Sequence, residues 1–287
     1  MISFHEDPEF FREAVRLTVA ETAFSARLVE KDYFCSVLID DVLFQTNRRL
    51  VFKGGTCLAK VHADFYRMSE DLDFAIPMSV DSSRSERRQQ VSELKNAFQA
   101  LPRRHRCFQI TASLEGANNS TQYCASVSYR SLLDNQPNQI SIEISLREPL
   151  FTAPILGQAR TILLDPVSGA PGIPPVTVNS ISRSEAIAEK FRAALTRREP
   201  AIRDFYDLDY LARKQGLTSD DQELIALVRK KLGIPGNDPI DIGTTRLTNL
   251  RSQLDARLKP VLRAKDFSEF DLDRAYDLVT RMSRLCA

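Results

Sequence analysis

The chain has 287 residues, of which 43% are hydrophobic and 27% are charged, the balance of an ordinary soluble globular protein. Its net charge of +1, from 39 basic and 38 acidic residues, excludes a globally basic nucleic-acid coat protein but allows a local basic patch. No apolar run reaches the ~18 residues of a membrane-spanning helix. The start lacks the basic and apolar segments of a secretory signal, so we expect a cytoplasmic protein without membrane contact.

The cysteines and histidines predict neither a zinc site nor a disulfide framework. The five cysteines are odd in number and widely scattered, and no CxxC occurs; they are Cys35, Cys57, Cys107, Cys124 and Cys286. This pattern predicts reduced, mostly buried thiols. With three histidines in the whole chain, chemistry based on histidine is disfavoured and metal-driven chemistry is favoured.

The N-terminal third begins with two predicted helices. In "HEDPEFFREAVRLTVAETAF", Asp7 is a predicted N-cap and Pro8 the first helical residue. Apolar residues at helical spacing predict a second helix over residues 30–46, "EKDYFCSVLIDDVLFQT". A short strand, "RRLVFKGG", then ends in paired glycines. Helical spacing resumes in "TCLAKVHA", and "EDLDFAIPM" predicts another strand.

The middle of the chain predicts one helix and a set of strands. Residues 84–106 form a helix and its exit with seven Lys/Arg against two Glu. Strand patterns separated by polar turns follow at 107–114, 121–130, 139–146 and 159–164. A segment rich in proline and glycine, residues 165–180, predicts a boundary, and helical patterns fill the rest. The prediction is an α+β domain with a mixed or antiparallel sheet over 1–170 and a helical domain over 171–287.

Two carboxylates one residue apart stand out within the second strand pattern. Residues i and i+2 of a strand share a face, so Asp71 and Asp73 are expected to project side by side. Such like charges repel unless a cation compensates them, and carboxylate oxygens suit Mg²⁺. Glu143, an isolated acid in the strand pattern "SIEIS", is a candidate third ligand. A DxD pair alone is weak evidence, because most such pairs lie at solvated strand ends without a catalytic role.

The paired glycines upstream add a second feature. Gly54, Gly55 and Thr56 lie where a strand gives way to a helix, an arrangement that allows close approach of backbone amides to phosphate. Thr56 adds a hydroxyl donor. A phosphate-binding turn beside a metal-binding acid pair is what phosphoryl or nucleotidyl transfer requires.

A third cluster lies in the helical region, in "AEKFRAALTRREPAIRDFYDLDYL". Lys190 falls in an apolar helical stripe, where a lysine must either reach solvent or meet an anion. Asp204 and Asp207 share one helix face. The alternative is an ion-paired first helical turn with no catalytic role.

Together these segments resemble a known family. "FKGGTCLAK", "RMSEDLDFAI", the acid of "SIEIS" and "AEKFRAAL…RDFYDLDYL" are similar to the AbiEii/AbiGii family of toxin nucleotidyltransferases, the MenT-like toxins, and "EKDYF" is similar to the family's N-terminal helix. The resemblance runs from about residue 28 to 212. It implies a DNA polymerase β-like nucleotidyltransferase fold followed by a helical domain.

The resemblance also implies roles for individual residues. It assigns triphosphate binding to Gly54, Gly55 and Thr56, with Arg67 and Ser69 at polar positions just before the acid pair. It assigns Mg²⁺, expected as two ions, to Asp71 and Asp73 with help from Glu143. The same resemblance implies that Lys190 contacts nucleotide phosphates and that Asp204 lies across the cleft.

The implied activity is transfer of a nucleoside monophosphate from an NTP to an acceptor hydroxyl. The implied acceptor is the tRNA 3′ end, and the implied partner is a cognate antitoxin; we expect a monomer. The basic helix over 84–106 is a candidate RNA contact, with a solvated helix face as the equal alternative. Protein-directed nucleotidyl or phosphoryl transfer, and a non-catalytic homologue that binds nucleic acid or a partner, remain open.

Overall fold

The computed structural model describes residues 3–41 and 49–286, and the chain divides into two compact units. Unit 1 comprises Met1–Pro149 and Pro154–Ile181, and unit 2 comprises Leu150–Ala153 and Ser182–Ala287. The domain boundary predicted between residues 170 and 171 lies earlier in the chain than this division.

Unit 1 is built on a seven-stranded mixed sheet. In chain order the strands are β1 (Val51–Lys53), β2 (Leu72–Ala75), β3 (Phe108–Ala117), β4 (Gln122–Arg130), β5 (Pro137–Ser145), β6 (Ile155–Ala159) and β7 (Val176–Ser180). Their spatial order is β3-β4-β5-β2-β1-β7-β6. The β1–β7 and β2–β5 pairs are parallel and the other pairs are antiparallel. The predicted α+β class with a mixed sheet is confirmed.

The N-terminal helices are α1 (Pro8–Thr22) and α2 (Ala26–Ile39). The predicted cap is confirmed, because the Asp7 carboxylate accepts hydrogen bonds from the Glu9 and Phe10 amides at 3.1 and 3.0 Å. The last part of the second predicted helix, residues 42–46, lies outside the described residues. Buried aromatic rings anchor α2 to the sheet, since Phe34 stacks on Tyr129 of β4 at 3.9 Å between centroids.

The remaining helices of unit 1 follow β1 and β2. The short α3 (Gly54–Cys57) continues into a π-helical turn, Leu58–His62, and α4 (Arg84–Gln99) is followed by α5 (Leu101–Arg104). A capping box between Ser83 and Glu86 fixes the start of α4, which satisfies backbone amides that the helix cannot. The buried residues of α4 include Val91, Leu94 and Phe98.

One strand prediction in unit 1 is wrong in position, and one strand was not predicted. The strand expected at 159–164 lies at Ile155–Ala159, and the boundary segment 165–180 contains β7. The alternating burial of Val176, Val178 and Ser180 in β7 is a strand signal, but the prolines and glycines before it dominated the sequence pattern. All five residues of β7 pair with β6, and Ser180 also pairs with Phe52 of β1, so tertiary pairing on both sides stabilises this strand.

The described residues of unit 2 form helices and no strand. They are α6 (Arg183–Thr196), α7 (Ile202–Gln215), α8 (Gln222–Leu232), α9 (Thr244–Ser252), α10 (Ala264–Glu269) and α11 (Leu272–Cys286). Among the described helices of both units, none has the length and apolar character needed to cross a lipid bilayer.

A buried ion cluster joins two helices of unit 2. The Lys231 ammonium on α8 lies 2.8 Å from Glu185 and 3.1 Å from Glu189, both on α6. Lys231 and Glu185 are fully buried. Their charges are compatible with the interior because each neutralises the other.

Candidate active site

The predicted acids meet at one point of the sheet. Asp73 on β2 stands opposite Lys53 on β1 and opposite Glu143 on β5. Residues paired in this way point to the same face of a sheet. Leu72 and Ile142, their strand neighbours, are buried, whereas Asp73 and Glu143 are half-buried. The two acids are therefore neighbours on an accessible sheet face.

The paired glycines lie directly against this acid pair. Gly54 has φ +74°, and a Cβ atom added to it would lie 2.0 Å from Asp73 Oδ2. A Cβ added to Gly55 would lie 2.7 Å from Arg67 Nη2 and 3.0 Å from Ser69 Oγ. Both the backbone conformation and the close approach require glycine at position 54. The turn thus brings backbone amides, a guanidinium and a carboxylate together.

Two of the predicted phosphate-binding side chains also hold the turn in place. The Thr56 hydroxyl donates a hydrogen bond to the carbonyl oxygen of Asp71. Arg67 is buried, with 2% of its surface exposed, and donates to the Met68 carbonyl at 3.0 Å. Thr56 therefore connects the glycine turn to the segment that leads into β2, and Arg67 of that segment places its guanidinium beside Gly55.

Asp71 differs from Asp73 in its surroundings. It precedes β2, which begins at Leu72, and it is exposed. In residues 3–41 and 49–286, no three His, Cys, Asp or Glu side chains form a group that could hold a metal ion. Mg²⁺ commonly takes one or two carboxylates from a protein and phosphate oxygens from its substrate. The donor chemistry of Asp73 and Glu143 therefore fits magnesium that is bound together with a triphosphate.

Helix α2 supports the acid pair through residues whose roles the sequence did not reveal. The Glu70 carboxylate, next to Asp71, lies 2.8 Å from Arg27 Nη1 and 3.4 Å from Lys31 Nζ. Burial acts to raise the pKa of Glu70, but Lys31 and Arg27 outweigh it and hold that pKa below its ordinary value. Lys31 belongs to the motif "EKDYF", which resembles the family's N-terminal helix. The motif therefore indicated that this helix is important, but it did not predict the contact between Lys31 and Glu70.

Asp32, the next residue of α2, forms an ion pair with the helical segment that follows the glycine turn. Asp32 Oδ1 lies 2.6 Å from the ammonium of Lys60, and both side chains are buried. Lys60 also donates to Ser36 Oγ at 2.8 Å. The other Asp32 oxygen accepts from the Thr161 hydroxyl at 2.9 Å. A buried ion pair satisfied in this way fixes the geometry of the segments it joins.

The basic helix α4 lies away from the acid pair. Its Lys95 ammonium sits 5.3 Å from the ring centre of Tyr123, a buried residue that alternates with Cys124 along β4. Cys124 pairs with Glu143, so Tyr123 points to the opposite face of the sheet. Arg87 donates to the Leu146 carbonyl. The helix thus packs on the other side of the sheet.

Arg104, near the end of the predicted basic segment, also has a structural role. It binds Asp41 through two hydrogen bonds of 2.9 Å. Part of the positive charge that suggested an RNA contact is therefore neutralised inside unit 1.

The remaining predicted residues lie in unit 2. Lys190 Nζ on α6 is 2.8 Å from Asp204 Oδ1 and 2.8 Å from Asp207 Oδ2, both on α7. Arg197 Nη1 lies 3.1 Å from Asp204 Oδ2. Asp207 is completely buried. The structure brings Lys190 and Asp204 together as one group and places the other predicted residues as a second group in unit 1.

Solved structures share this fold. MenT4, a nucleotidyltransferase toxin from Mycobacterium tuberculosis H37Rv, superposes with a TM-score of 0.57 and 21% identity, over 96% of this chain and 92% of that chain. JHP933 from Helicobacter pylori superposes with a TM-score of 0.50 and 16% identity, over 92% and 93% of the two chains. No curated protein matches the sequence significantly.

The sequence also matches a family profile over most of its length. The profile is described as nucleotidyl transferase AbiEii toxin, type IV TA system, and it matches residues 37–279. This span includes the glycine turn, the acid pair and the lysine group of unit 2. The chain therefore belongs to the AbiEii family of nucleotidyltransferase toxins, and as a toxin of a toxin–antitoxin system it has an antitoxin as its counterpart.

Proposed function

We propose that this nucleotidyltransferase transfers a nucleoside monophosphate from an NTP to the 3′-terminal hydroxyl of tRNA, with release of pyrophosphate. The observation that carries the proposal is the contact between Gly54 and Asp73. It places a turn suited to phosphate beside a carboxylate suited to a metal, at the edge of an acid pair completed by Glu143.

The residues of unit 1 would divide the work as follows. The backbone amides at Gly54 and Gly55 hold the β- and γ-phosphates, and Arg67 and Ser69, which contact Gly55, orient that turn. Asp73 and Glu143 hold Mg²⁺, with Asp71 as the further predicted ligand. Bound magnesium neutralises phosphate charge and lowers the pKa of the acceptor hydroxyl. The acceptor oxygen bonds to the α-phosphorus as the bond to pyrophosphate breaks, and the hydroxyl proton passes to solvent.

In unit 2, Lys190 forms ion pairs with Asp204 and Asp207, so its role would differ from that of a lysine whose only partner is phosphate. Its ammonium already neutralises Asp204 and Asp207 at 2.8 Å each. We propose that Lys190 contacts the nucleotide phosphates while Asp204 and Asp207 hold its side chain in one direction. Removing Lys190 would then take away a cation that lies 2.8 Å from two buried carboxylates, while Asp204 keeps Arg197 at 3.1 Å, with a loss of stability as well as activity.

The protein would act as a cytoplasmic monomer, opposed by its antitoxin. Transfer to a protein is the alternative, because the acid pair and the glycine turn would suit either acceptor. Transfer to tRNA would label RNA and transfer to a protein would label a polypeptide, so the labelled product identifies the acceptor.

The test is incubation with each of four NTPs labelled at the α-phosphate, Mg²⁺ and total tRNA. We expect label on RNA with the wild type and none with Asp73→Ala. An Asp255→Ala variant is the matched control, because this exposed aspartate lies in unit 2 and makes only a surface ion pair with Lys259 at 3.6 Å. Label on a polypeptide would replace the tRNA proposal, and absence of label in every reaction would refute the transfer itself.

A further inference from the structure

One face of the sheet extends from the acid pair across two more strands. The register that pairs Asp73 with Glu143 continues to Cys124 on β4 and Glu115 on β3. Side chains two residues apart share a face, and the polar, uncharged ones that join Cys124 and Glu143 on this face are Gln122, Ser126, Ser128, Gln139, Ser141 and Ser145. All of these can hydrogen-bond. Arg130 and Pro137 follow them at the far end of the two strands.

The opposite face of the same strands is apolar and buried. Tyr123, Val127 and Ile142 have at most 2% of their surface exposed. By contrast, Cys124, Gln139 and Ser141 are exposed. The hydrophobic effect accounts for the buried face, and contact with solvent accounts for the polar character of the other. On the polar face Gln139 Nε2 donates to Ser126 Oγ at 2.6 Å, and Ser126 itself is buried.

The two sides of the acid pair are not equivalent. Gly54, which leaves β1, lies against Asp73 from the β1 side. Glu143 lies on the other side of Asp73 and leads to Cys124. If the glycine turn holds the triphosphate, the nucleotide occupies the β1 side. An acceptor hydroxyl must then reach the acid pair from the side of β5 and β4.

We propose that the polar face around Cys124, Ser126, Gln139 and Ser141 is the subsite that holds the terminal nucleoside of the RNA acceptor. This inference rests on the proposed function. Hydroxyl and carboxamide side chains hydrogen-bond to base edges and ribose hydroxyls. None of the four is cationic, and the exposed Arg130 lies at the far end of β4, so the part of the face beside the acids suits the neutral end of an RNA rather than its phosphate backbone.

An extended polypeptide suits this surface less well. A peptide that adds to a sheet needs a regular edge strand, and β3, the edge strand on this side of the sheet, has register shifts between Ile110 and Ala112 and between Ala112 and Glu115. Such bulges interrupt the ladder of backbone groups and discourage strand addition. Binding of a polypeptide by strand addition next to this face is therefore disfavoured.

Cys124 makes the subsite testable, because it is the exposed member of the five cysteines. In a Cys107→Ser/Cys286→Ser background the remaining thiols, Cys35 and Cys57, are buried. Burial, together with Glu143 and Asp73, raises the pKa of the Cys124 thiol, so labelling with a bulky fluorescein maleimide belongs at mildly alkaline pH. The same background with Cys124→Ser controls for reaction elsewhere. Each enzyme is compared with itself before and after the reagent.

Transfer from labelled NTP to total tRNA is measured first with unlabelled enzyme. We expect maleimide on Cys124 to raise the KM for tRNA at least roughly tenfold, with less than about a twofold change in the KM for NTP. Gln139→Ala, which needs no label, should shift the KM for tRNA in the same direction. Maleimide should leave the Cys124→Ser enzyme as it was.

The outcomes separate the inference from the function on which it rests. If unlabelled enzyme modifies no RNA, the proposed function fails, and the subsite falls with it. If unlabelled enzyme modifies RNA but the label leaves the KM for tRNA unchanged, only the subsite is refuted. A label that raises the KM for NTP instead would assign this face to the nucleotide. Transfer to a polypeptide would overturn the RNA end as occupant.

Discussion

At the scale of single residues, Gly54 connects the glycine turn to the acid pair. Its φ of +74° excludes most side chains, and its missing Cβ is what allows Asp73 Oδ2 to approach. Either property alone would favour glycine. Because both apply, a substitution at Gly54 would strain the backbone and also displace the Asp73 carboxylate. At Gly169 and Gly216, which also have positive φ, an added Cβ would meet no other atom within 4 Å.

Gly54→Ala is therefore predicted to abolish activity for a steric reason. The new methyl group would push Asp73 away, and a displacement near 1 Å at a reacting centre costs about 100-fold in rate. Gly216→Ala is the matched control, because Gly216 has φ +68° with no atom near its added Cβ. Both variants should lose about 1 kcal/mol or more from backbone strain.

The prediction is checked by measuring nucleotidyl transfer and the thermal unfolding midpoint of Gly54→Ala and Gly216→Ala. The expected pattern is similar destabilisation in both and loss of activity in Gly54→Ala alone. Equal activity in the two variants would mean that Asp73 adjusts to the methyl group, so that the contact is not required.

Single residues were predictable from the sequence where the signal was local. Asp73 and Gly54 stood in short, unusual patterns, and both lie at the candidate site. Glu70 gave no such signal, because its partners Arg27 and Lys31 lie about forty residues earlier in the sequence. An acid next to a strand is also common at solvent-exposed positions, so its sequence position did not indicate an ion pair. The same holds for Lys60, whose buried pairing with Asp32 depends on how α2 packs.

At the scale of elements, the sequence predicted those that local periodicity defines. Helix α1 was fixed by its Asp7 cap, and β4 and β5 by alternating apolar residues. Strand β7 was missed because its alternation follows a run of proline and glycine, and because pairing with Phe52 completes it. Register was likewise beyond local patterns: that Glu143 stands opposite Asp73 follows from the parallel pairing of β2 with β5.

Elements of unit 2 are joined by charges as well as by apolar packing. Lys231→Met is predicted to destabilise the fold by about 3–5 kcal/mol, because it leaves the fully buried Glu185 without its cation. Lys230→Met is the control. Lys230 is exposed and, like Lys231, places its ammonium near the Phe151 ring, at 5.9 Å against 5.2 Å.

Urea unfolding of both methionine variants measures the difference. The control should change stability by less than about 0.5 kcal/mol, as expected for surface substitutions. If Lys231→Met is as stable as the control, Glu185 must be neutral or must have found another partner, and the ion cluster does not hold α6 to α8.

At the scale of the whole molecule, a nearly neutral chain carries out chemistry on highly charged substrates. Its net charge of +1 gives little general attraction for nucleic acid, and part of the basic segment around α4 is neutralised by internal contacts such as Arg104 with Asp41. We therefore expect local contacts near the acids to select the acceptor, and we expect the activity to depend on Asp73.

Growth of a bacterial host tests this consequence of the family assignment. Induced expression without any neighbouring gene should stop growth for the wild type and for Asp255→Asn, whose exposed carboxylate makes only a surface ion pair with Lys259. Asp73→Asn keeps the size of the side chain but removes the charge that would hold magnesium, so cells expressing it should form colonies normally. Equal protein levels on a blot are the necessary control. Toxicity that survives Asp73→Asn would separate the growth arrest from nucleotidyl transfer and move the toxic activity to another part of the chain.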